Sequence, residues 1–253
     1  MLTGPISINR SLTIGAIIMT TQFATAAKNF GAAVPAMLAG QILGRATPAA
    51  THWHDTPGMS GALQTLSRDQ EIYGESDKAE HFFKIVSGVV RTCKFLSDGR
   101  RQIIAFYKQG DIFGVEANDR HRLSAEAISD CNLVAYRRRN LETIAAGNDG
   151  VARQLFLYAM GNAARAQDHT LLLGRRSAVE KVTSFLLDWV PATGGQAKIT
   201  LEMPRQDIAD YLGLTVETVS RTLSKLERDG IIELATARNI RIKNFAALRA
   251  FND

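Results

Sequence analysis

The chain has 253 residues, 45% of them apolar, and a formal net charge of +5. That length exceeds one minimal module and fits two compact domains plus a connector, with enough apolar residues for a sizeable core. A mild basic excess is compatible with nucleic acid but shared by many soluble enzymes, and residues 174–253 hold only twelve Lys and Arg against ten Asp and Glu. Any DNA contact there must come from where charges sit rather than from bulk charge.

Residues 1–60 contain three basic residues and one acid, Asp55, with Pro5, Pro35, Pro48 and Pro57 among scattered Gly, Ala and Thr. The apolar stretch at 12–19 is interrupted by Gly15 and is far short of the ~20 residues that span a bilayer. It faintly resembles a secretory signal. The segment is expected to be a flexible or partly ordered leader, with Met19 or Met37 as alternative starts and no export.

From 61 to 148 the pattern is strands and tight turns. His81–Val86 is an apolar run ended by Ser87-Gly88; Val89–Leu96 follows and ends at Ser97-Asp98-Gly99. Asp-Gly between two apolar runs signals a hairpin, because glycine freely accepts the positive φ of such turns. Arg101–Tyr107, Ile112–Gly114, Leu123–Ile128 and Asn132–Tyr136 supply further strands. Short strands at this spacing predict a small antiparallel barrel or roll. Cys93 and Cys131, the two cysteines, lie in apolar strand surroundings. They form no Cys-x-x-Cys pair and are too few for a four-thiolate cluster. They read as small core hydrophobes, with a redox-sensing thiol as the alternative, and suit a reducing cytosol. Arg137-Arg138-Arg139 reads as a solvated strand end.

At Asp149 the period becomes helical. Ala152, Phe156, Ala159, Ala163, Ala166, Thr170 and Leu173 follow alternating spacings of four and three, a seam by which two parallel helices pair closely through small residues. The competing reading packs this helix on its own domain, with Leu155, Tyr158 and Leu171 contending for the buried face. Gly174 is expected to cap the helix, and Arg175-Arg176 to form a hinge. Ala178–Val190 is amphipathic, a Thr193-Gly194-Gly195 turn follows, and Ala197–Leu201 is a strand.

The segment 203–230 parses as two helices around a turn. Pro204 suits a first helical turn. Ile208, Ala209 and Leu212 form one apolar face, Gly213 supplies the turn, and Thr215 caps the next helix. Val219, Leu223 and Leu226 then point inward, leaving Val216, Glu217, Ser220 and Arg221 outward on the part of a recognition helix that enters the major groove. Arg221 can donate two hydrogen bonds to guanine, and Glu217, one turn earlier, can accept from cytosine and hold the guanidinium flat; a mere surface ion pair is the bland alternative. Arg205, Thr215, Thr218 and Lys225 complete the candidate DNA-binding set. Ile231–Leu234 and Ile240–Lys243 make a two-stranded wing, and Asn244 caps a last short helix. No nucleophile elbow, phosphate loop or metal spacing appears, and His52, His54, His81, His121 and His169 form no ligand set. No enzyme, cofactor or metal is expected.

On these residues the chain from 61 to 253 resembles the Crp–Fnr family of bacterial regulators. The resemblance is carried by Gly88, Asp98-Gly99, Gly110-Asp111-Ile112-Phe113-Gly114, the long helix, and Leu212-Gly213-Leu214-Thr215-Val216-Glu217-Thr218-Val219-Ser220-Arg221. Glu217-Thr218-Val219-Ser220-Arg221 is similar to the Fnr-side pattern, whereas the cyclic-AMP branch carries Arg in place of Val216 and Gly in place of Ser220. Leu171-Leu172-Leu173-Gly174-Arg175 and Asp207–Leu212 look like the FixK group. The resemblance implies an α+β chain: a leader over 1–60, a cyclic-nucleotide-binding-like β-roll over 61–148, a dimerisation helix over 149–173, and a winged helix-turn-helix over 174–253. It also implies a cytoplasmic homodimer working with RNA polymerase on double-stranded DNA, an activator at TTGA(T/C)-type inverted repeats in oxygen- or nitrogen-responsive control. Two departures stand out. Residues 1–60 lack the cysteines that hold iron and sulfur in the Fnr branch. The ribose and phosphate positions of the cyclic-nucleotide branch read Gly114-Val115-Glu116 and Arg122-Leu123-Ser124-Ala125, with Leu123 where the phosphate arginine belongs. The roll is therefore expected to have lost the nucleotide; the alternative is a regulator gated by a nucleotide or another small effector.

Overall fold

The computed structural model describes residues 58–175, 177–190 and 198–252. The leader reading for residues 1–57, the Thr193-Gly194-Gly195 turn and the Arg176 part of the hinge lie outside the described residues. Of the last three leader positions, Met59 is buried with Phe82, Tyr136 and Leu141, while Gly58 and Ser60 are exposed.

Two four-stranded antiparallel sheets form the roll. The first has the order β1 (Gly61–Leu66), β8 (Cys131–Arg137), β3 (His81–Ser87), β6 (Ile112–Phe113); the second has β2 (Glu71–Tyr73), β7 (Ser124–Ala127), β4 (Val90–Phe95), β5 (Arg101–Tyr107). Alternation puts one side of each strand between the sheets, where Phe83, Ile85, Val90, Phe113, Ala125 and Leu133 form the interior. The β4–β5 hairpin closes through Gly99 at φ +82, with Leu96 N–H donating to the Arg100 carbonyl at 2.8 Å.

Helix α1 (Arg138–Gly147) corrects the reading of 137–139 as a solvated strand end. Arg137 does end β8, but Arg138 opens a helix, bonding Glu142 at 2.7 Å and the carbonyl of Asn118. Strands β1, exposed but for Leu66, and β2, only three residues long, show no apolar alternation in the sequence. Helix α2 (Asp149–Arg175) runs 27 residues, about 40 Å at 1.5 Å per residue. It carries on through Gly174, so that glycine lies inside the last turn rather than capping it. Its inner face packs Val151, Leu155 and Tyr158 on the roll, with the Tyr158 hydroxyl donating to the Ile112 carbonyl at 3.0 Å.

Helix α3 (Ala178–Asp188) starts from a capping box in which Ser177 and Glu180 satisfy each other's backbone amides. It buries Val182, Phe185 and Leu186 with strand β9 (Lys198–Thr200) and helices α4 (Arg205–Leu212) and α5 (Val216–Arg228). Strands β10 (Ile232–Leu234) and β11 (Asn239–Ile242) pair with β9 in the order β10-β11-β9, and α6 (Phe245–Arg249) begins at Asn244, whose side chain accepts from Ala247 N–H at 2.9 Å. This apolar core includes Val89 and Ile128 of the roll. Phe106 of β5 lies 5.2 Å from the Tyr211 ring and 6.1 Å from those of Phe185 and Trp189, and His169 of α2 stacks on Tyr211 at 4.2 Å. The helix-turn-helix is thus seated on both the roll and the long helix.

Both cysteines are core residues. Cys93 is fully buried, and burial pushes its thiol up to about 11; Cys131 is buried beside the Val89 and Ser129 carbonyls, and burial raises its thiol too. Thiolate is the reactive form, so both should be inert in the native protein. Iodoacetamide at neutral pH should label neither at a rate comparable with the urea-unfolded chain, as mass spectrometry would follow. Rapid stoichiometric native labelling would refute the burial.

Candidate nucleic-acid interface

Helix α4 ends at Gly213, whose φ of +60 is the left-handed conformation that lets the chain turn sharply. A side chain there would also press on Leu173 of α2, 3.4 Å from an added Cβ. Two residues on, Thr215 caps α5: its hydroxyl accepts from Thr218 N–H at 3.1 Å. Ile208, Ala209 and Leu212 of α4 are buried against Val219, Leu223 and Leu226 of α5, as their spacing predicts. Pro204 takes the N-cap position of α4, with Arg205 as the first helical residue, one place later than the sequence suggests.

With that face committed inward, Val216, Glu217, Ser220, Arg221, Ser224 and Lys225 are exposed along α5. Glu217 Oε1 and Arg221 Nη2 meet at 2.6 Å, with 68% and 80% of their side chains exposed. An ion pair this open contributes little to stability, about 0–1 kcal/mol, so its heads are available to other partners. Ser220 turns its hydroxyl back to the Val216 carbonyl at 2.8 Å, which makes its outer surface compact. Thr218 is half-buried, and its hydroxyl sits 2.9 Å from that of Thr215 within the cap. Arg205 stands apart. It is half-buried, burial lowers its pKa, and its Nη1 is sealed from solvent without a hydrogen-bond partner. Arg241 and Lys243 are exposed on the wing beside Glu233, at 3.6 and 3.5 Å. The candidate site set read from the sequence omits both, since strand alternation alone does not tell a wing cation from an ordinary surface residue.

The seam residues Ala152, Phe156, Ala159, Ala163, Ala166 and Thr170 all lie exposed on α2, with Phe156 59% exposed, while Val151, Tyr158 and Leu172 face inward. Leu155 and Tyr158, the competitors, turn to the roll; Leu171 is exposed beside the row. Leu173 departs from the rest of the row, half-buried near Gly213.

Inside the roll the positions that hold a nucleotide in the cyclic-nucleotide branch have other partners. Glu116 accepts from Arg122 N–H at 3.2 Å and lies 3.8 Å from His121 Nδ1. Ser124 Oγ accepts from Glu75 N–H at 2.9 Å, and Arg122 is exposed. The rings of Tyr73, Phe83 and Phe113 stack at 5.3–6.2 Å, and His121 lies flat on Tyr73 at 3.6 Å. Burial lowers the His121 pKa despite the nearby Glu116 carboxylate. Glu116 and Ser124, at or beside the family's ligand positions, are thus engaged with groups of the roll itself. Among the described residues no group of three or more His, Cys, Asp and Glu could hold a metal ion, and no helix is long and apolar enough to cross a membrane.

Comparison with known proteins places these elements. Residues 63–148 match the cyclic nucleotide-binding domain family and residues 180–251 the Crp-like helix-turn-helix domain family. The chain is 46% identical over 194 residues to the nitrogen fixation regulation protein FixK of Azorhizobium caulinodans, covering 75% of this chain and 78% of that protein. It is 42% identical over 194 residues to the FixK of Rhizobium meliloti, covering 76% and 89%. The structure of FixK2 from Bradyrhizobium japonicum superposes with a TM-score of 0.73 at 44% identity, covering 76% of this chain and 97% of that one.

Titration calorimetry with cyclic AMP and cyclic GMP should give no saturable heat at micromolar ligand. Saturable binding that also changes DNA affinity would establish a ligand-gated regulator instead.

Proposed function

The chain belongs to the Crp–Fnr family of transcription regulators, in its FixK-like group, and from that premise we propose a homodimeric activator that reads TTGA-type inverted repeats through α5. It is a regulator and not an enzyme. The observation that carries the base-reading assignment is the exposed Glu217–Arg221 pair, which begins in the first turn after the Thr215 cap. A guanidinium can donate twice to guanine O6 and N7, and a carboxylate can accept from cytosine N4. Val216 and Ser220 flank that pair and suit apolar contact with a thymine methyl. Thr215, Thr218, Lys225 and Arg205 are assigned to supporting and phosphate contacts, with Thr218 acting through the cap. Oxygen- or nitrogen-responsive control, contact with RNA polymerase and a cytoplasmic location follow from the likeness to FixK proteins and from the DNA partner. Export is not expected.

Pairing of two copies is supported by the exposed row on α2. In a two-fold dimer its small residues let two helices approach, and the two reading helices address half-sites about one helical turn, ~34 Å, apart. Replacing Ala159 and Ala163 with Glu sets like charges across that seam. The double variant should sediment as a monomer with weak operator binding, and an intact dimer would remove the seam from the interface.

Base reading has its own test, at one stated salt concentration because phosphate contacts are salt-dependent. Arg221→Ala should cost roughly 1–3 kcal/mol per half-site contact and relax preference at a single base pair. Glu217→Ala should chiefly change which base is accepted. Binding curves against every single-base variant of the half-site are the measurement. Uniform weakening by Arg221→Ala, with no position relaxed, would make Arg221 a backbone contact.

A further inference from the structure

An ion cluster joins the roll to the first helix of the reading unit. Arg91 of β4, with a side chain 10% exposed, lies opposite Glu126 of β7 in the antiparallel ladder and bonds it through Nε at 2.7 Å. Its Nη1 donates to Asp207 Oδ2 of α4 at 2.6 Å. Arg101 of β5 donates to the other oxygen, Asp207 Oδ1, at 2.5 Å, and to Asp210 Oδ2 at 2.9 Å. Gln102 Nε2 donates to the Asp210 carbonyl at 2.7 Å, and Gln206 Nε2 to Asp210 Oδ1 at 2.7 Å. Asp207 is almost wholly enclosed, with a side chain 2% exposed.

This arrangement does more than join two surfaces. Each guanidinium is a planar fork on a strand held in a sheet, and Asp207 takes one bond from each, so the carboxylate plane has one orientation. Asp207 and Asp210 are three apart on α4 and share the face toward the roll. The adjoining face of α4 carries Ile208, Ala209 and Leu212, which grip α5. Position of the roll is thereby transmitted through one short helix to the reading helix. A second contact comes from α2, whose His169 ring stacks on Tyr211 at 4.2 Å and whose Nε2 lies 2.9 Å from the Tyr211 carbonyl, without the paired charges that join α4 to the roll.

We propose that Arg91 and Arg101 are positioning residues for DNA reading, setting where each reading helix stands relative to the dimer helix and so which half-site spacing the protein accepts. The proposal rests on the dimeric, base-reading function above. Binding one half-site needs only a folded α4–α5 unit. Binding two at once needs both reading helices at the correct separation, and the advantage of the second contact is lost when geometry forbids it.

The test uses the full-length protein, fluorescence anisotropy at fixed salt, and three kinds of duplex: a single half-site, the inverted repeat, and repeats with the spacer one base pair longer or shorter. Arg101→Gln and, as a milder second variant, Asp210→Asn should leave single half-site affinity within about twofold of wild type. Each should lose at least about tenfold on the correctly spaced repeat and discriminate less among spacers. Arg101→Lys keeps the charge but not the fork and should restore part of the loss. An unchanged spacing preference in a folded variant would overturn the proposal. So would equal weakening on half-site and repeat, which is the signature of a merely destabilised domain. If wild type itself prefers neither half-site nor repeat over random DNA, the base-reading function fails and takes the proposal with it.

Discussion

Asp207 holds a carboxylate away from water between two guanidinium groups, and the ionic seating of α4 on the roll depends on that one balance. Enclosing a charge costs several kcal/mol unless partners replace its hydration. Here Arg91 and Arg101 supply both charge and directed N–H groups, and Glu126 and Asp210 complete their hydrogen bonding. Neutralising one member would leave the others enclosed and unmatched, so the cluster behaves as a unit. It sits on α4, whose adjoining face packs against α5. The rings of Phe106, Tyr211 and His169 beside it add apolar area, and His169 Nε2 adds a directed contact to the Tyr211 carbonyl at 2.9 Å.

The reading helix shows the opposite electrostatic regime. Glu217 and Arg221 are paired in solvent, where Coulomb attraction is screened and weak. Such a pair holds the guanidinium beside the carboxylate while leaving most of both side chains exposed to solvent. Strong pairing inside and weak pairing outside thus serve different ends: the buried ions hold position, and the exposed ones remain available. The helix ends agree with this, since Glu217 lies in the first turn of α5 and Lys225 and Arg228 in the last, each opposite in sign to the helix dipole.

The roll has the sheet order of a ligand-binding domain and an interior of stacked rings. Glu116 and Ser124, which stand at or beside the family's ligand positions, are taken up by Arg122 N–H and Glu75 N–H. The roll also has a mechanical part in the fold. It supplies β4 and β5 as a rigid mount for α4, and through Tyr158 it supports the long helix whose outer row is open to a second copy.

The sequence by itself determined what is local and periodic. Gly213, Thr215 and the Val219, Leu223, Leu226 spacing specify the turn, the cap and the inward face of α5, because each is decided within about two helical turns by backbone geometry and burial. Asp98-Gly99 marks its hairpin for the same reason, and the four-three row on α2 names its open face. What tertiary structure alone decided is non-local. Strands β1 and β2 have exposed residues and acquire strand form only by pairing with β8 and β7. Gly174 reads as a cap, yet the helix passes through it. Arg91 and Asp207 are 116 positions apart, and nothing in the residues near either one says that they meet. Folding brings them together because strand pairing fixes where β4 points, and a carboxylate enclosed there is stable only beside a guanidinium.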